Sequence, residues 1–282
     1  MKLIVVCLFL ASAFALPGNE NEEVYSIQNR IAGGQPAELG QFPFQVGVQS
    51  HYLTRDNEEY TGWCGGSLIS DQVVLTAAHC VYRANFTEIY YGAVDLAKSP
   101  LIINVPKQNI IWHEGYGKKF GADDVAVVLL PEKVEFNSES ILISNNVQPV
   151  NLPRKSQRDM TFVKTVGWIS GWGRMGDCVG STEKLQYARR WILPHEFCEY
   201  HLSAWFMKES QICVDGSHGI SSCKGDSGGP LSIVEEDGSR TLVGLTSYAR
   251  ADGCEKNLPT VYQRVTAYLD WIAEKSGVAL LE

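Results

Sequence analysis

Short apolar stretches that alternate with polar ones dominate the chain after residue 31. Residues 44–49, Phe-Gln-Val-Gly-Val-Gln, alternate apolar and polar side chains, as half-buried β-strands do. Residues 125–130 are a continuous apolar run of strand length. Similar short runs, interrupted by Gly, Pro, Asn and Asp, recur to about residue 264. This pattern indicates a β-sandwich or a β-barrel.

The period changes near the C-terminus. Val265, Tyr268, Leu269 and Ile272 recur at helical spacing, which predicts a helix over residues 266–275. The sequence is therefore expected to be all-β with a closing α-helix.

The N-terminus has the pattern of a secretory signal peptide over residues 1–15. Lys2 precedes an apolar run that extends to Phe14, and small residues follow one another at alternate positions near its end. The alternative is a membrane anchor, but the run is too short, since spanning a bilayer takes about 20 apolar residues. Because no later segment is long and apolar enough to span, we expect a secreted, extracellular product without membrane attachment.

Residues 16–30 form a second N-terminal segment, which is polar and acidic and is expected to be mobile. It ends at Arg30, and Ile31 follows. A basic residue at the edge of a mobile segment is a site where a protease could cut. The remaining residues, 31–282, are long enough for one large domain.

Charge and cysteine content limit the classes of function. The formal net charge is −8 and no basic stripe is present, so a nucleic-acid partner has no electrostatic support. The chain has eight cysteines, of which Cys7 would leave with the signal peptide. A secreted protein favours disulfides over metal ligation, and no paired C-x-x-C motif suggests zinc. Seven remaining cysteines leave at least one without an intramolecular partner.

Three motifs carry residues suited to nucleophilic catalysis. His79 lies in Thr-Ala-Ala-His-Cys, Asp124 precedes an apolar strand, and Ser227 lies in Gly-Asp-Ser-Gly-Gly. A hydroxyl needs a base within hydrogen-bonding reach, imidazole is that base, and a buried carboxylate fixes the imidazole tautomer. Glycines around Ser227 suit an oxyanion hole formed by the N–H groups of Gly225 and Ser227. Each motif alone is commonly structural, whereas the three together are far more specific.

Residues 31–278 resemble the chymotrypsin/trypsin-like serine protease family in these motifs and in their order, His, Asp, Ser. Cys-Gly-Gly-Ser-Leu at 64–68, Gly-Trp-Gly at 171–173 and Ser-Tyr-Ala at 247–249 extend the resemblance. It implies two six-stranded antiparallel β-barrels with a C-terminal α-helix and an active site in the cleft between them. It also implies a serine endopeptidase that acts on proteins or peptides as a monomer, without a cofactor, and that protein inhibitors could block.

The resemblance assigns roles to single residues. Ser227 is the nucleophile, His79 the base and Asp124 the residue that orients His79. Asp124 is preferred to Asp123 because the family's aspartate directly precedes the apolar strand. Ser247 corresponds to the serine that lies against this aspartate. The alternative is an inactive homologue that acts as a binding protein, which loss of a catalytic residue would favour; none is lost.

Activation by cleavage is also implied. A trypsin-like protease would cut after Arg30, and the freed ammonium of Ile31 would pair with Asp226. The three segments would then be a signal peptide (1–15), an activation propeptide (16–30) and a protease domain (31–282).

The resemblance also suggests a cysteine map. Three family bridges would join Cys64 to Cys80, Cys198 to Cys213, and Cys223 to Cys254, although sequence alone leaves other connectivities open. No family bridge uses Cys178, which lies in a polar, glycine-bearing stretch. We therefore expect Cys178 to be a free thiol or to form an intermolecular disulfide.

Substrate choice in this family depends on a pocket whose base lies six residues before the serine. Here the base is Ser221, with Ser222 beside it and Ser247 on one side, so a substrate cation would find no charge partner. The wall positions are Ala249 and Thr260, which narrow the pocket. We expect elastase-like cleavage after Ala, Val or Leu, with chymotrypsin-like cleavage after Phe, Tyr or Leu as the alternative.

Three local features complete the expectations. Asn85 begins an N-glycosylation sequon, Asn-Phe-Thr. The stretch from Ser50 to Trp63 reads as a long acidic loop on the leaving-group side of the cleft. Residues 93–98 contain a single carboxylate where the family's calcium loop would lie, and this is too few ligands for the metal. We therefore expect no metal site.

Overall fold

The structure is a computed structural model that describes residues 31–98, 101–119, 121–136, 147–202, 207–249 and 251–282. The proposed signal peptide and propeptide, with Arg30, lie outside the described residues. The described strands form two sheets, and every strand pairing within them is antiparallel. The first element in the described residues is a two-residue strand, β1 (Gln35–Pro36).

The first sheet forms a barrel from the N-terminal half of the chain. Its strands are β2 (Gln45–Leu53), β3 (Glu59–Leu68), β4 (Val73–Thr76), β5 (Phe86–Tyr91), β6 (Leu101–Pro106), β7 (Ile110–Trp112) and β8 (Ala126–Leu129). Their order in the sheet is β6-β5-β2-β3-β4-β8-β7. The two edge strands, β6 and β7, are joined by one 3₁₀ turn, Lys107–Asn109. This continuous segment pairs with both ends of the sheet and closes the barrel; counted as one bent strand, it makes six.

The second sheet is a closed ring of six strands from the C-terminal half. They are β9 (Val166–Gly171), β10 (Gln186–Leu193), β11 (Gln211–Val214), β12 (Pro230–Val234), β13 (Arg240–Tyr248) and β14 (Thr260–Arg264). The ring runs β10-β11-β14-β13-β12-β9, and β9 pairs back with β10. The short β1 adds to β10 as a seventh strand. The predicted pair of six-stranded barrels is confirmed, with β1 as an addition.

The described residues also contain three α-helices: α1 (Ala78–Val81), α2 (His195–Leu202) and α3 (Leu269–Ser276). The predicted C-terminal helix is confirmed, although its first turn, Val265–Tyr268, is 3₁₀. Leu269 and Ile272 of α3 pack into the core of the first barrel. Among the described helices, none has the length and apolar content needed to cross a bilayer.

One expectation about local structure is wrong. The stretch from Ser50 to Trp63 is not a loop but the outer part of the β2–β3 hairpin, where register continues to the pair Leu53 and Glu59. Tyr52 and Tyr60 stack across the two strands, with ring centroids 5.0 Å apart. The Tyr52 hydroxyl also donates to the carbonyl of Cys80, at 2.6 Å, and this anchors the hairpin to α1.

The three predicted disulfides are confirmed: Cys64–Cys80, Cys198–Cys213 and Cys223–Cys254. The expectation of a free thiol at Cys178 is wrong, because Cys178 is disulfide-bonded.

Candidate active site

His79 lies in α1, directly after the buried strand β4. The apolar side chains of β4 fix where α1 begins, and the Cys64–Cys80 disulfide ties α1 to β3. The side chain of His79 is 32% exposed, so one edge of the ring reaches the cleft.

Asp124 lies two residues before β8, and its carboxylate is buried against His79. Oδ1 accepts the backbone N–H of His79 at 2.8 Å, and Oδ2 lies 2.8 Å from His79 Nδ1. The Ser247 hydroxyl donates to the same Oδ2 at 2.6 Å. The neighbouring Asp123 is turned away, and its Oδ1 lies 3.3 Å from the Tyr268 hydroxyl. The structure therefore brings together His79, Asp124 and Ser247.

The electrostatics of this group favour a basic imidazole. Burial lowers the pKa of His79, but the hydrogen bond to Asp124 and its negative charge outweigh burial, so the pKa is raised above 6.5. With Nδ1–H donated to the carboxylate, the free lone pair of neutral His79 is on Nε2. This nitrogen is the one available to take a proton.

Ser227 lies on the loop between Cys223 and β12 and comes from the second barrel. Its carbonyl accepts the N–H of Gly65, at 2.8 Å, so the loop is held against β3 of the first barrel. Gly225 has φ of +99°, a conformation that favours glycine. Within the described residues, the N–H groups of Gly225 and Ser227 donate to no protein acceptor. They are therefore available to a ligand oxygen.

A cavity of about 570 Å³ opens beside Ser227. Four of the five predicted pocket residues line it: Ser222, Ser247, Ala249 and Thr260. Ser221 is instead buried behind the lining, where its hydroxyl donates to the carbonyl of Cys254 at 2.7 Å. Sequence reasoning therefore located the cavity, while Ser221 supports the wall rather than facing the space.

Asp177 is a lining residue that sequence reasoning missed. Its Oδ1 accepts the N–H of Cys254 at 2.5 Å, and Lys256 Nζ lies 3.5 Å from its Oδ2. The carboxylate of Glu255 accepts the N–H of Asp177 in return, at 2.7 Å. Two loops that are distant in sequence are thereby joined at the rim of the cavity. Only the position of Asp177 after Gly-Trp-Gly could have pointed to it.

Asp226 is a second buried carboxylate close to the serine. Its oxygens accept the N–H groups of Gly173, at 2.8 Å, and Cys223, at 2.9 Å. Burial raises its pKa to about 6, although the two hydrogen bonds act in the opposite direction. No cation among the described residues pairs with it. Ile31 is also buried, and the carbonyl of the next residue, Ala32, accepts the N–H of Ser221 at 3.1 Å.

One group of potential metal ligands lies at this site: Cys64, His79 and Cys80 have ligand atoms within 4.8 Å of one another. Both sulfurs belong to one disulfide, and His79 Nδ1 is bonded to Asp124. The group is therefore not suited to hold an ion, since thiolates are the metal-binding form of cysteine.

Comparison with known proteins gives consistent relatives. A family model, Trypsin, matches residues 31–272. The chain is 32% identical to Collagenase of Hypoderma lineatum over 279 residues, which cover 98% of each protein. It is 36% identical to Serine protease 1 of Drosophila melanogaster over 256 residues, 91% of this chain and 89% of that protein. Chymotrypsin-C of Rattus norvegicus is 33% identical over 98% of this chain and 97% of its own length.

A solved structure of HL collagenase has the same fold. It superimposes with a TM-score of 0.75 at 33% identity and covers 88% of this chain and 99% of that chain. Because the family model spans most of the chain and relatives above 30% identity align over nine-tenths of it, the chain belongs to the chymotrypsin/trypsin-like family of serine endopeptidases.

Proposed function

We propose that the protein hydrolyses peptide bonds with Ser227, His79 and Asp124 as its catalytic triad. The observation that carries this proposal is the position of Asp124, which accepts hydrogen bonds from His79 N–H, His79 Nδ1 and Ser247. A buried carboxylate in this position holds one tautomer of the imidazole and stabilises its protonated form.

The proposed reaction is the acyl transfer that the family resemblance implies. Ser227 Oγ attacks the peptide carbonyl while His79 Nε2 takes its proton. The oxyanion that forms accepts the N–H groups of Gly225 and Ser227. His79 then gives the proton to the leaving amine, and an acyl group remains on Ser227. Water, activated by the same imidazole, releases the second product.

A serine-directed phosphonate label tests the triad on the secreted protein after trypsin treatment. We expect stoichiometric labelling and peptidase activity in the wild type, and neither in Ser227→Ala. Ser232→Ala is a matched control, because Ser232 is buried in β12 and lies outside the cavity lining. If labelling persists in Ser227→Ala, or fails in folded, cleaved wild type, the proposal is wrong. The second outcome favours a non-catalytic binding protein.

The proposal includes secretion as an inactive precursor. Residues 1–15 would direct export and residues 16–30 would be removed by a trypsin-like protease at Arg30. Support comes from Asp226, which is buried without a cation among the described residues. The freed ammonium of Ile31 would supply that cation, and Gly173 and Cys223 already orient the carboxylate. An Arg30→Gln precursor should stay inactive under trypsin; full activity in the uncut protein contradicts this.

The proposed specificity is elastase-like, for Ala, Val or Leu before the scissile bond. Thr260 and Ala249 narrow the cavity, and the negative charge of Asp177 is balanced by Lys256, so neither an aromatic ring nor a substrate cation is favoured. The alternative, cleavage after Phe, Tyr or Leu, is supported by the relatives named Chymotrypsin-C. Values of kcat/KM on peptides that differ only at this residue decide: a tenfold advantage of Phe or Tyr over Ala and Leu contradicts the elastase-like proposal.

Glycosylation at Asn85 is part of the same proposal for a secreted protein. Asn85 is partly exposed just before β5, where its side chain could carry a glycan. A mass shift on treatment with an amidase that releases N-glycans, absent in Asn85→Gln, is the expected result.

A further inference from the structure

Two buried glutamines lie side by side in the second barrel. Gln211 on β11 and Gln263 on β14 are directly opposite each other in the strand register. Their exposed fractions are 1% and 0%. Burying two primary amides is costly unless each finds hydrogen-bond partners, so their partners indicate what they do.

Both amides donate to one carbonyl of the first barrel. Gln211 Nε2 lies 2.6 Å and Gln263 Nε2 lies 2.8 Å from the oxygen of Gly121. Gly121 begins the short segment that leads to Asp124. Its φ is +67°, and a Cβ there would lie 2.9 Å from the Tyr248 ring, so the position requires glycine. The second barrel thus clamps the segment that carries the aspartate of the first.

Gln263 reaches Asp124 by a second route. Its Nε2 also donates to the Ser247 hydroxyl oxygen, at 3.3 Å, and Ser247 donates to Asp124 Oδ2, at 2.6 Å. A hydroxyl has one hydrogen, so an N–H donor at its oxygen leaves that hydrogen free for the carboxylate. Gln263 Oε1 accepts the Tyr268 hydroxyl at 3.1 Å, which fixes the orientation of the amide.

We propose that Gln211 and Gln263 are positioning residues for Asp124, which they hold through the Gly121 carbonyl and through Ser247. The inference rests on the proposed role of Asp124 in the triad. Neither glutamine contacts the reacting atoms; each acts by keeping the carboxylate aligned with His79 Nδ1. Because the clamp joins the barrels, it also sets the distance between His79, from the first barrel, and Ser227, from the second.

The test compares Gln263→Met, Gln211→Met and the double variant with Gln186→Met. Methionine is similar in length and apolar, so it removes the donor with little change in volume. Gln186 is the matched control: it is fully buried in the same barrel, but its amide donates to the carbonyl of Lys184, far from Asp124 in the network. All four proteins are cleaved after Arg30 and checked by active-site labelling and thermal unfolding.

For Gln263→Met we expect kcat to fall about tenfold, or ~1.4 kcal/mol, with KM nearly unchanged. The kcat of Gln211→Met should fall less, since Gln211 holds only the Gly121 carbonyl, and the kcat of the double variant should fall furthest. The low-field proton resonance of the His79 Nδ1–H hydrogen bond should shift in the clamp variants and stay in place in Gln186→Met. Gln263→Asn, which keeps the amide but is one methylene too short to reach the Gly121 carbonyl, should not restore kcat.

The outcomes separate this inference from the proposed function. If Asp124→Asn and Ser227→Ala retain full activity, the triad itself is wrong. If those variants are inactive while folded Gln211→Met and Gln263→Met match Gln186→Met in kcat and in the resonance, only the clamp is wrong. If the Met variants do not fold, Gln263→Asn and Gln211→Asn supply the same comparison, because they keep a buried amide but lose the reach to the Gly121 carbonyl.

Discussion

Two aspartates are buried within the same catalytic region, but their surroundings differ. Asp124 and Asp226 are 4% and 2% exposed. Asp124 accepts bonds from a titratable imidazole, a hydroxyl and a backbone N–H. Asp226 accepts two backbone N–H groups, and among the described residues it has no cationic partner.

The two carboxylates therefore differ in one respect: Asp124 has a titratable side-chain partner, whereas Asp226 has only backbone N–H partners among the described residues. The three partners of Asp124, His79 N–H, His79 Nδ1 and the Ser247 hydroxyl, all lie in the described residues. The pKa of Asp226 is raised to about 6, because burial outweighs the two hydrogen bonds. A buried carboxylate in that condition gains from a nearby cation. We infer that cleavage completes the surroundings of Asp226 and leaves those of Asp124 unchanged.

The largest expected effect separates the two aspartates by catalysis. Asp124→Asn should lower kcat of the cleaved enzyme about 10⁴-fold, because an amide at this place favours the wrong imidazole tautomer. KM should change little, since Asp124 does not line the cavity. Steady-state kinetics on a peptide substrate, corrected by active-site titration, measures both constants. Wild-type kcat in folded Asp124→Asn would contradict the triad.

The second effect concerns the cation that cleavage would supply. In cleaved Asp226→Asn the Ile31 ammonium has no carboxylate, and removing one partner of a buried pair costs ~3–5 kcal/mol. We expect kcat/KM to fall by about 10²–10⁴-fold, since each 1.36 kcal/mol is a factor of ten. The uncut precursor should fold as well as the parent. Equal activity in cleaved Asp226→Asn and wild type would remove the proposed pair.

The third effect is on stability and appears only before cleavage. The pKa of Asp226 is about 6 in the folded chain and 3.8 ordinarily. A raised pKa gives stability that is fully present below pH 3.8 and is lost as pH rises through 6. In an Arg30→Gln precursor, the free energy of unfolding should therefore fall by about 3 kcal/mol across this window.

Urea unfolding at pH 4 and pH 7.5 measures this loss. The same precursor with Asp226→Asn added should lack that part of the pH dependence, and the cleaved enzyme should lack it too. If the two precursors show the same dependence on pH, Asp226 does not titrate as described.

The smallest expected effect is a change in substrate preference, and it concerns the cavity, which neither aspartate lines. Thr260→Gly removes a branched side chain from the wall, where Thr260 is 3% exposed. It should shift the ratio of kcat/KM for Phe over Ala by about tenfold toward Phe, since one methylene of fit is worth ~1–3 kcal/mol. Ala249 stays unchanged in this variant, so that any shift in the ratio comes from Thr260 alone. No shift in the ratio would mean that Thr260 does not limit the cavity.

Apolar period and turn residues are local signals, and they predicted short strands and the closing helix, whereas the two barrels were implied by the family resemblance. The position of His79 after β4 and of Asp124 before β8 could be read the same way. The local pattern alone does not give the number of strands, because the turn at Lys107–Asn109 interrupts one segment that pairs with both edges of the sheet.

Contacts between loops that are distant in sequence could not be predicted from the residues alone. The hydrogen bond from Cys254 N–H to Asp177 joins residues that are 77 apart in sequence. The bond from Gln211 to the Gly121 carbonyl joins residues that are 90 apart. Neither leaves a periodic trace in the chain. The disulfide at Cys178 was not expected, because the family resemblance assigns that cysteine no bridge. The roles of His79, Asp124 and Ser227 stay predictions until the variants are measured.

The first and last elements of the described residues, β1 and α3, each pack on the barrel that is more distant in sequence. Strand β1 precedes the first barrel in sequence but pairs with β10 of the second. Helix α3 follows the second barrel but packs its Leu269 and Ile272 into the core of the first. A fragment ending at residue 136 would keep β1 without its partner strand and lose α3. Recombination between relatives at the junction of the barrels would therefore separate β1 and α3 from the barrels on which they pack. Exchange of the first barrel requires exchange of α3 with it, and exchange of the second requires exchange of β1.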